Sequence, residues 1–147
     1  MQAPFHLLVI GYGNTLRSDD GVGPRVAEAV IELQLPGVRT LICQQLSPEH
    51  AEPISSAETV VFVDAAMDAP KKVQLRPLEP GEATQLMAHA ADPRTLLALA
   101  RDVFGHTPRA WWLTIPVVHL GFGEVLSPEA QRGCDEALAQ IRNLANG

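Results

Sequence analysis

The chain has 147 residues, 46% of them hydrophobic and 19% charged, which suits one globular domain spanning 1–147 and excludes a disordered segment. Its formal charge is −6, with no basic run beyond Lys71-Lys72. Nucleic acid is therefore not expected as a partner, because neutralising phosphates requires a basic face. Cys43 and Cys134 stand far apart and form no CxxC pair, which argues against a zinc ribbon or redox motif and leaves two small buried hydrophobes.

No apolar run is long enough to cross a bilayer, and Met1-Gln2-Ala3-Pro4 leads into strand-like residues without the basic region of a signal peptide. The expected address is cytoplasmic, with no membrane partner. In chain order, Phe5 to Ile10 is a nearly continuous apolar run ending at Gly11, the pattern of a strand covered on both faces. Asp20 to about Gln34 places Val22, Val26, Ala27, Val30 and Leu33 at helical spacing. Ser18 or Asp19 is expected to cap that helix, and Pro36-Gly37 to end it. Val38 to Cys43 reads as a second strand, and Ser47-Pro48-Glu49 opens a short helix with serine at the cap.

Glu58 to Asp64 (ETVVFVD) is the second strongly buried strand, and it ends in a carboxylate. Lys72 to Pro77 alternates apolar and polar residues like a half-exposed strand near a sheet edge. Pro93 to Phe104 is a helix capped by Asp92, Ala110 to Pro116 a further strand, and Ser127 to about Leu144 a closing amphipathic helix opened by Ser127-Pro128-Glu129. This alternation predicts an α/β fold, a three-layer sandwich around a mostly parallel twisted sheet of about five strands with helices on both faces.

Sites in open α/β sheets form beyond the C-terminal ends of the strands. That rule selects Asp19 and Asp20 after the first strand and Asp64 after the third. His89, ahead of the Asp92-capped helix, is a third candidate. Two carboxylates and an imidazole would make a mixed oxygen and nitrogen site suited to zinc, nickel or another divalent ion. Each residue also has a plain structural role open to it: Asp19 as a cap, Asp20 as a first-turn acid favoured by the helix dipole, Asp64 in an Asx turn, and His89 as a solvated side chain.

Gly11-Tyr12-Gly13 imitates the start of a dinucleotide fingerprint, but Leu16 occupies the place of the third glycine and Cys43-Gln44-Gln45 the place of the ribose-binding acid. Asp19 and Asp20 also put negative charge where a pyrophosphate would sit. The turn therefore favours a cation or a cationic group. HExxH, GxSxG and P-loop signatures are absent.

The blocks GYGNTLRSDDGVGPRVAE, TVVFVDAA, MAHAADPRTLLALA and LTIPVVHLGFGEVLSPE, in this order, resemble the hydrogenase maturation proteases, the endopeptidases that trim nickel-iron hydrogenase large subunits. The resemblance covers almost the whole chain. It implies a twisted sheet with helices on both faces and metal-binding residues at Asp20, Asp64 and His89. The partner it implies is a nickel-loaded large-subunit precursor that loses a C-terminal extension. Nickel would then arrive with the substrate, another divalent metal being able to take its place, and Asp20 or Asp64 could act as general base. His119 and Glu124 are assigned to a substrate-facing rim, and Asp19, Gly21 and Gly23 to shaping the turn. A monomer is expected. A non-catalytic metal-dependent binder or chaperone of a hydrogenase subunit on the same scaffold is the alternative.

Overall fold

Five strands form a single sheet in the order β2-β1-β3-β5-β4 in the computed structural model, which describes residues 5–67, 71–81 and 92–147. The strands are β1 (Leu7–Tyr12), β2 (Val38–Cys43), β3 (Thr59–Ala66), β4 (Gln74–Leu78) and β5 (Arg109–Pro116). The helices are α1 (Val22–Leu33), α2 (Ala51–Ser55), α3 (Pro93–Phe104) and α4 (Pro128–Asn146). All neighbouring strands run parallel except β4, which pairs antiparallel with β5 at the edge.

The two-residue alternation of side chains divides the core. Leu7 and Val9 of β1, Val61 and Val63 of β3, and Leu113 and Ile115 of β5 pack on Val22, Val26 and Val30 of α1 and on Ala137 and Ile141 of α4. Their neighbours Leu8, Ile10, Val60, Phe62 and Ala110 pack on Ile54 of α2 and on Leu96, Leu97 and Ala100 of α3. The sheet is thus covered on both faces, the three-layer α/β sandwich that the alternation predicts.

The connection from β1 goes outward to β2 by way of α1, and the chain then returns across α2 to β3 on the other side of β1. The strand order therefore reverses between β1 and β3. Beyond the C-terminal ends of these two strands the chain departs in opposite directions along the sheet, from β1 towards β2 and from β3 towards the edge strand β4, and such a reversal leaves a crevice.

The capping expectations hold at two helices. Asp92 Oδ1 accepts from the Arg94 N–H at 2.9 Å, and Ser127 Oγ accepts from the Ala130 N–H at 3.1 Å. Ser47 closes a capping box with His50 ahead of α2. At α1 the expectation fails: the helix begins at Val22, its N-cap is Gly21, and no side chain caps it. Ser18 to Gly21 instead form a short 3₁₀ turn, and the Asp19 side chain points away to a distant loop.

Two strand ends also differ from the sequence reading. β1 continues through Gly11 to Tyr12, and β3 continues past Asp64 to Ala66, with Asp64 paired in register with Thr114. Glycine inside a strand reads as a stop, yet here it admits the helix. A Cβ on Gly11 would collide with the Gly23 carbonyl oxygen, and one on Gly23 with the carbonyl oxygens of Tyr12 and Val63. The first turn of α1 consequently lies flush against β1 and β3, which brings the Asp20 turn to the crevice.

Candidate active site

Asp20 lies in the 3₁₀ turn that joins β1 to α1, half-buried, with Oδ2 accepting from the Asn14 N–H at 2.7 Å. Asp64 lies near the end of β3, across the crevice, and the two carboxylates are close enough for Asp20's charge to act on Asp64. Burial, the largest influence, and the like charge of Asp20 raise the Asp64 carboxyl from 3.8 to about 6. The Tyr12 hydroxyl, the Ala65 N–H and the Trp112 indole N–H pull the other way without reversing it. Among the described residues neither Asp20 nor Asp64 makes an ion pair.

Strand alternation explains the company that Asp64 keeps. Ile10 pairs in register with Phe62, Phe62 with Trp112, and Asp64 with Thr114. Tyr12, Asp64, Trp112 and Thr114 therefore share the sheet face that carries α2 and α3. Burial, followed by the charge of Asp64, pushes the Tyr12 hydroxyl above its ordinary range, so it remains a proton donor. Among the described residues, the buried polar atoms of Tyr12, Trp112 and Thr114 have no hydrogen-bond partner of good geometry. Tyr12 and Trp112 thus face the Asp64 carboxyl as electrostatic neighbours, poised to bond but not bonded. Arg76 of the edge strand lies over the Trp112 ring at 5.5 Å.

Sequence reasoning missed these neighbours. For Tyr12 the signal existed, because it follows Ile10 by two residues and would have been placed on the same face had β1 been extended through Gly11. Trp112 depends on the β3–β5 register, which no local pattern supplies.

Asp19 has a different environment. Its carboxylate is fully buried. Oδ2 accepts from the N–H groups of Val118 and His119, both at 3.1 Å, and from Ser127 Oγ at 2.8 Å, while Oδ1 accepts from the Ser127 N–H at 2.7 Å. Burial alone would raise its pKa, but the hydrogen bonds from Ser127, Val118 and His119 outweigh burial and hold the carboxyl below the usual carboxylate range. His119 and Glu124 stand exposed on the loop that Asp19 ties down, and the Glu124 carbonyl accepts from Arg25 at 2.7 Å.

His89 lies outside the described residues. Among the described residues no three His, Cys, Asp or Glu side chains converge closely enough to hold a metal ion. Two neighbouring carboxylates, one of them largely desolvated, are oxygen donors of a kind that suits a divalent cation. A groove of about 370 Å³ beside this turn is lined by Gly13, Asn14, Leu16, Cys43 and Gln44. A larger hollow, about 680 Å³, lies at the opposite end of the sheet, where β1, β3 and β5 begin, away from both carboxylates. Cys134 is buried, its thiol pushed up to about 12 chiefly by burial, in keeping with a packing role; burial also raises the half-buried Cys43 thiol.

The chain matches no protein-family model and no curated relative. Solved structures do resemble it. The hydrogenase maturating endopeptidase HybD from E. coli superposes with a TM-score of 0.76 at 19% identity, over 97% of this chain and 93% of that one. The [NiFe] hydrogenase maturation protease HycI from Thermococcus kodakarensis KOD1 gives 0.75 at 23% identity, over 97% and 93%. HybD from Thermococcus kodakarensis gives 0.71 at 23%, over 96% and 99%. The fold is that of the hydrogenase maturation proteases. No helix among the described residues is long and apolar enough to cross a membrane.

Proposed function

We propose that this protein is a cytoplasmic endopeptidase that removes the C-terminal extension of a nickel-loaded nickel-iron hydrogenase large-subunit precursor. The observation that carries the reading is the pair Asp20 and Asp64, electrostatically coupled at the point where the strand order reverses, in a fold shared along nearly the whole chain with proteins named as hydrogenase maturation proteases.

Asp20 and Asp64, with His89, are the proposed recognition set for the nickel that the precursor carries. The metal is then part of the substrate, and only a loaded precursor brings the cation that the two carboxylates lack. Asp64, half-buried and raised to about 6, is the better general base of the two: it is mostly ionised at neutral pH yet retains proton affinity. Tyr12 and Trp112 stand beside it, and among the described residues their hydrogens meet no acceptor of good geometry, so a carboxylate or carbonyl oxygen brought into the crevice would find donors in place. The protein is proposed to act as a monomer on its larger partner.

The test is to mix the protein with a nickel-loaded large-subunit precursor and follow the precursor by mass spectrometry. A single shift to smaller mass, abolished by Asp20→Asn and by Asp64→Asn with the fold intact, is expected. A precursor that stays full length in a demonstrated complex would instead identify a metal-dependent binder. Normal processing by both variants would overturn the site.

A further inference from the structure

The turn that carries Asp20 has little of its own to hold it. It is four residues of 3₁₀ helix, Ser18 to Gly21, without a side-chain cap, and Ser18 sits in the left-handed region at φ +49°. So short a helical segment does not persist unaided, since nucleation costs more than one turn returns. Its support comes from the loop at 117–127, about a hundred residues further along the chain.

That support is a dense set of bonds. The Ser18 N–H donates to the Gly123 carbonyl at 2.8 Å, the Gly123 N–H to the Leu16 carbonyl at 2.8 Å, and the Asp19 N–H to the His119 carbonyl at 2.9 Å. The Ser18 hydroxyl donates to the Gly121 carbonyl at 2.8 Å. At the centre stands the Asp19 carboxylate with its four donors. Ser127 extends the network, its hydroxyl donating to Asp19 while accepting from the Ala130 N–H in the first turn of α4. A buried network of this kind is rigid when every member is satisfied.

We propose that Asp19 is a positioning residue for the candidate active site: its buried carboxylate clamps the 117–127 loop against the 3₁₀ turn and thereby fixes where the Asp20 carboxylate stands, without itself touching substrate. Asp20 is the next residue in the same turn. Its own restraints are the Asn14 N–H bond to its side chain and the bond from its N–H to the Arg17 carbonyl at 3.1 Å. Both belong to the segment that the clamp holds, so loosening the clamp releases Asp20. The activity arm of the test below rests on the endopeptidase reading; the structural arm does not.

The variant is Asp19→Asn, whose oxygen can keep the three-donor position while its amide opposes the Ser127 N–H. Two quantities are read: native-state amide exchange at Asn14, Val118 and His119, and precursor processing per folded molecule. Protection of the Asn14 amide is expected to fall roughly tenfold together with that of Val118 and His119. The kcat is expected to fall about tenfold or more, with KM changing by less than about threefold. Ser127→Ala should give a weaker form of both effects, and Ser127→Thr, which keeps the hydroxyl, should restore them. Faster exchange at Val118 and His119 with Asn14 unchanged would mean a staple for the loop alone and would overturn the proposal. Unchanged processing per folded molecule would also overturn it. Should Asp19→Asn fail to fold, the Ser127 pair decides by the same readouts. Should the parent protein cut no precursor, the endopeptidase reading fails by itself, and Asn14 protection alone decides the role of Asp19.

Discussion

Asp64→Asn is expected to make the protein more stable and inactive at once. The folded state raises the Asp64 carboxyl from 3.8 to about 6, burial being the main cause. A carboxyl raised in this way leaves stability intact below its unfolded value, where both states are protonated. As pH rises from about 4 through 6, the unfolded state gives up its proton first and the folded state falls behind. At about 1.36 kcal/mol for each pH unit of difference, ionised Asp64 costs about 3 kcal/mol above pH 7. Asparagine has nearly the same shape and no charge to bury, so it removes this cost.

The gain of the variant over the parent should therefore be near zero at pH 4 and about 2–3 kcal/mol at pH 8, some of it lost to imperfect amide packing. For a domain of this size that corresponds to a rise in Tm of roughly 4–10 °C at pH 8. The assay is urea unfolding of parent and variant across pH 4–8, with precursor processing measured at pH 7–8. A stability difference that does not grow with pH, or a variant less stable than the parent at pH 8, would refute the assignment of Asp64 as a strained, desolvated carboxyl.

Asp19 tilts the profile in the opposite direction. Its carboxyl is held below the usual range, so the stability it contributes is present above about pH 4 and is lost as pH falls through its folded value; urea midpoints between pH 2.5 and 5 should drop in the parent, and less steeply in Ser127→Ala, which has lost part of that contribution. Gly23→Ala places a methyl group against the backbone oxygens of Tyr12 and Val63, which cannot turn aside. It should cost about 1–3 kcal/mol or more by thermal melting, and should impair processing because α1 and the Asp20 turn must lift from the sheet.

Hydrophobic pattern was enough to find β1, β3, β5, α3 and α4, because each buries a face whose period is written locally. It was enough, too, to bring Asp20 and Asp64 to one end of the sheet, since strand direction follows from the alternation of elements. It could not distinguish among the three aspartates. Asp19 and Asp20 are adjacent and chemically identical, and their difference lies entirely in which backbone amides come back to meet them. The donors that satisfy Asp19 arrive from residues 118, 119 and 127, at separations where no local pattern operates, so a helix cap was the natural expectation and a long-range clamp the outcome.

The same contrast separates structure from chemistry at this site. Asp19 is fully buried with four donors, and its charge is settled. Asp64 is also largely removed from water, yet it faces a second carboxylate and donors that do not close on it, and its charge is not settled. Ionised, such a group is costly where β1 and β3 diverge, and an apolar residue there would be cheaper. The proposed function supplies a ligand that would complete this acid, and the glycines of GYGNTLRSDDGVG fit the same reading. Gly11 and Gly23 admit α1 to the sheet, where a phosphate cradle would have needed them open, and so carry the Asp20 turn to face Asp64.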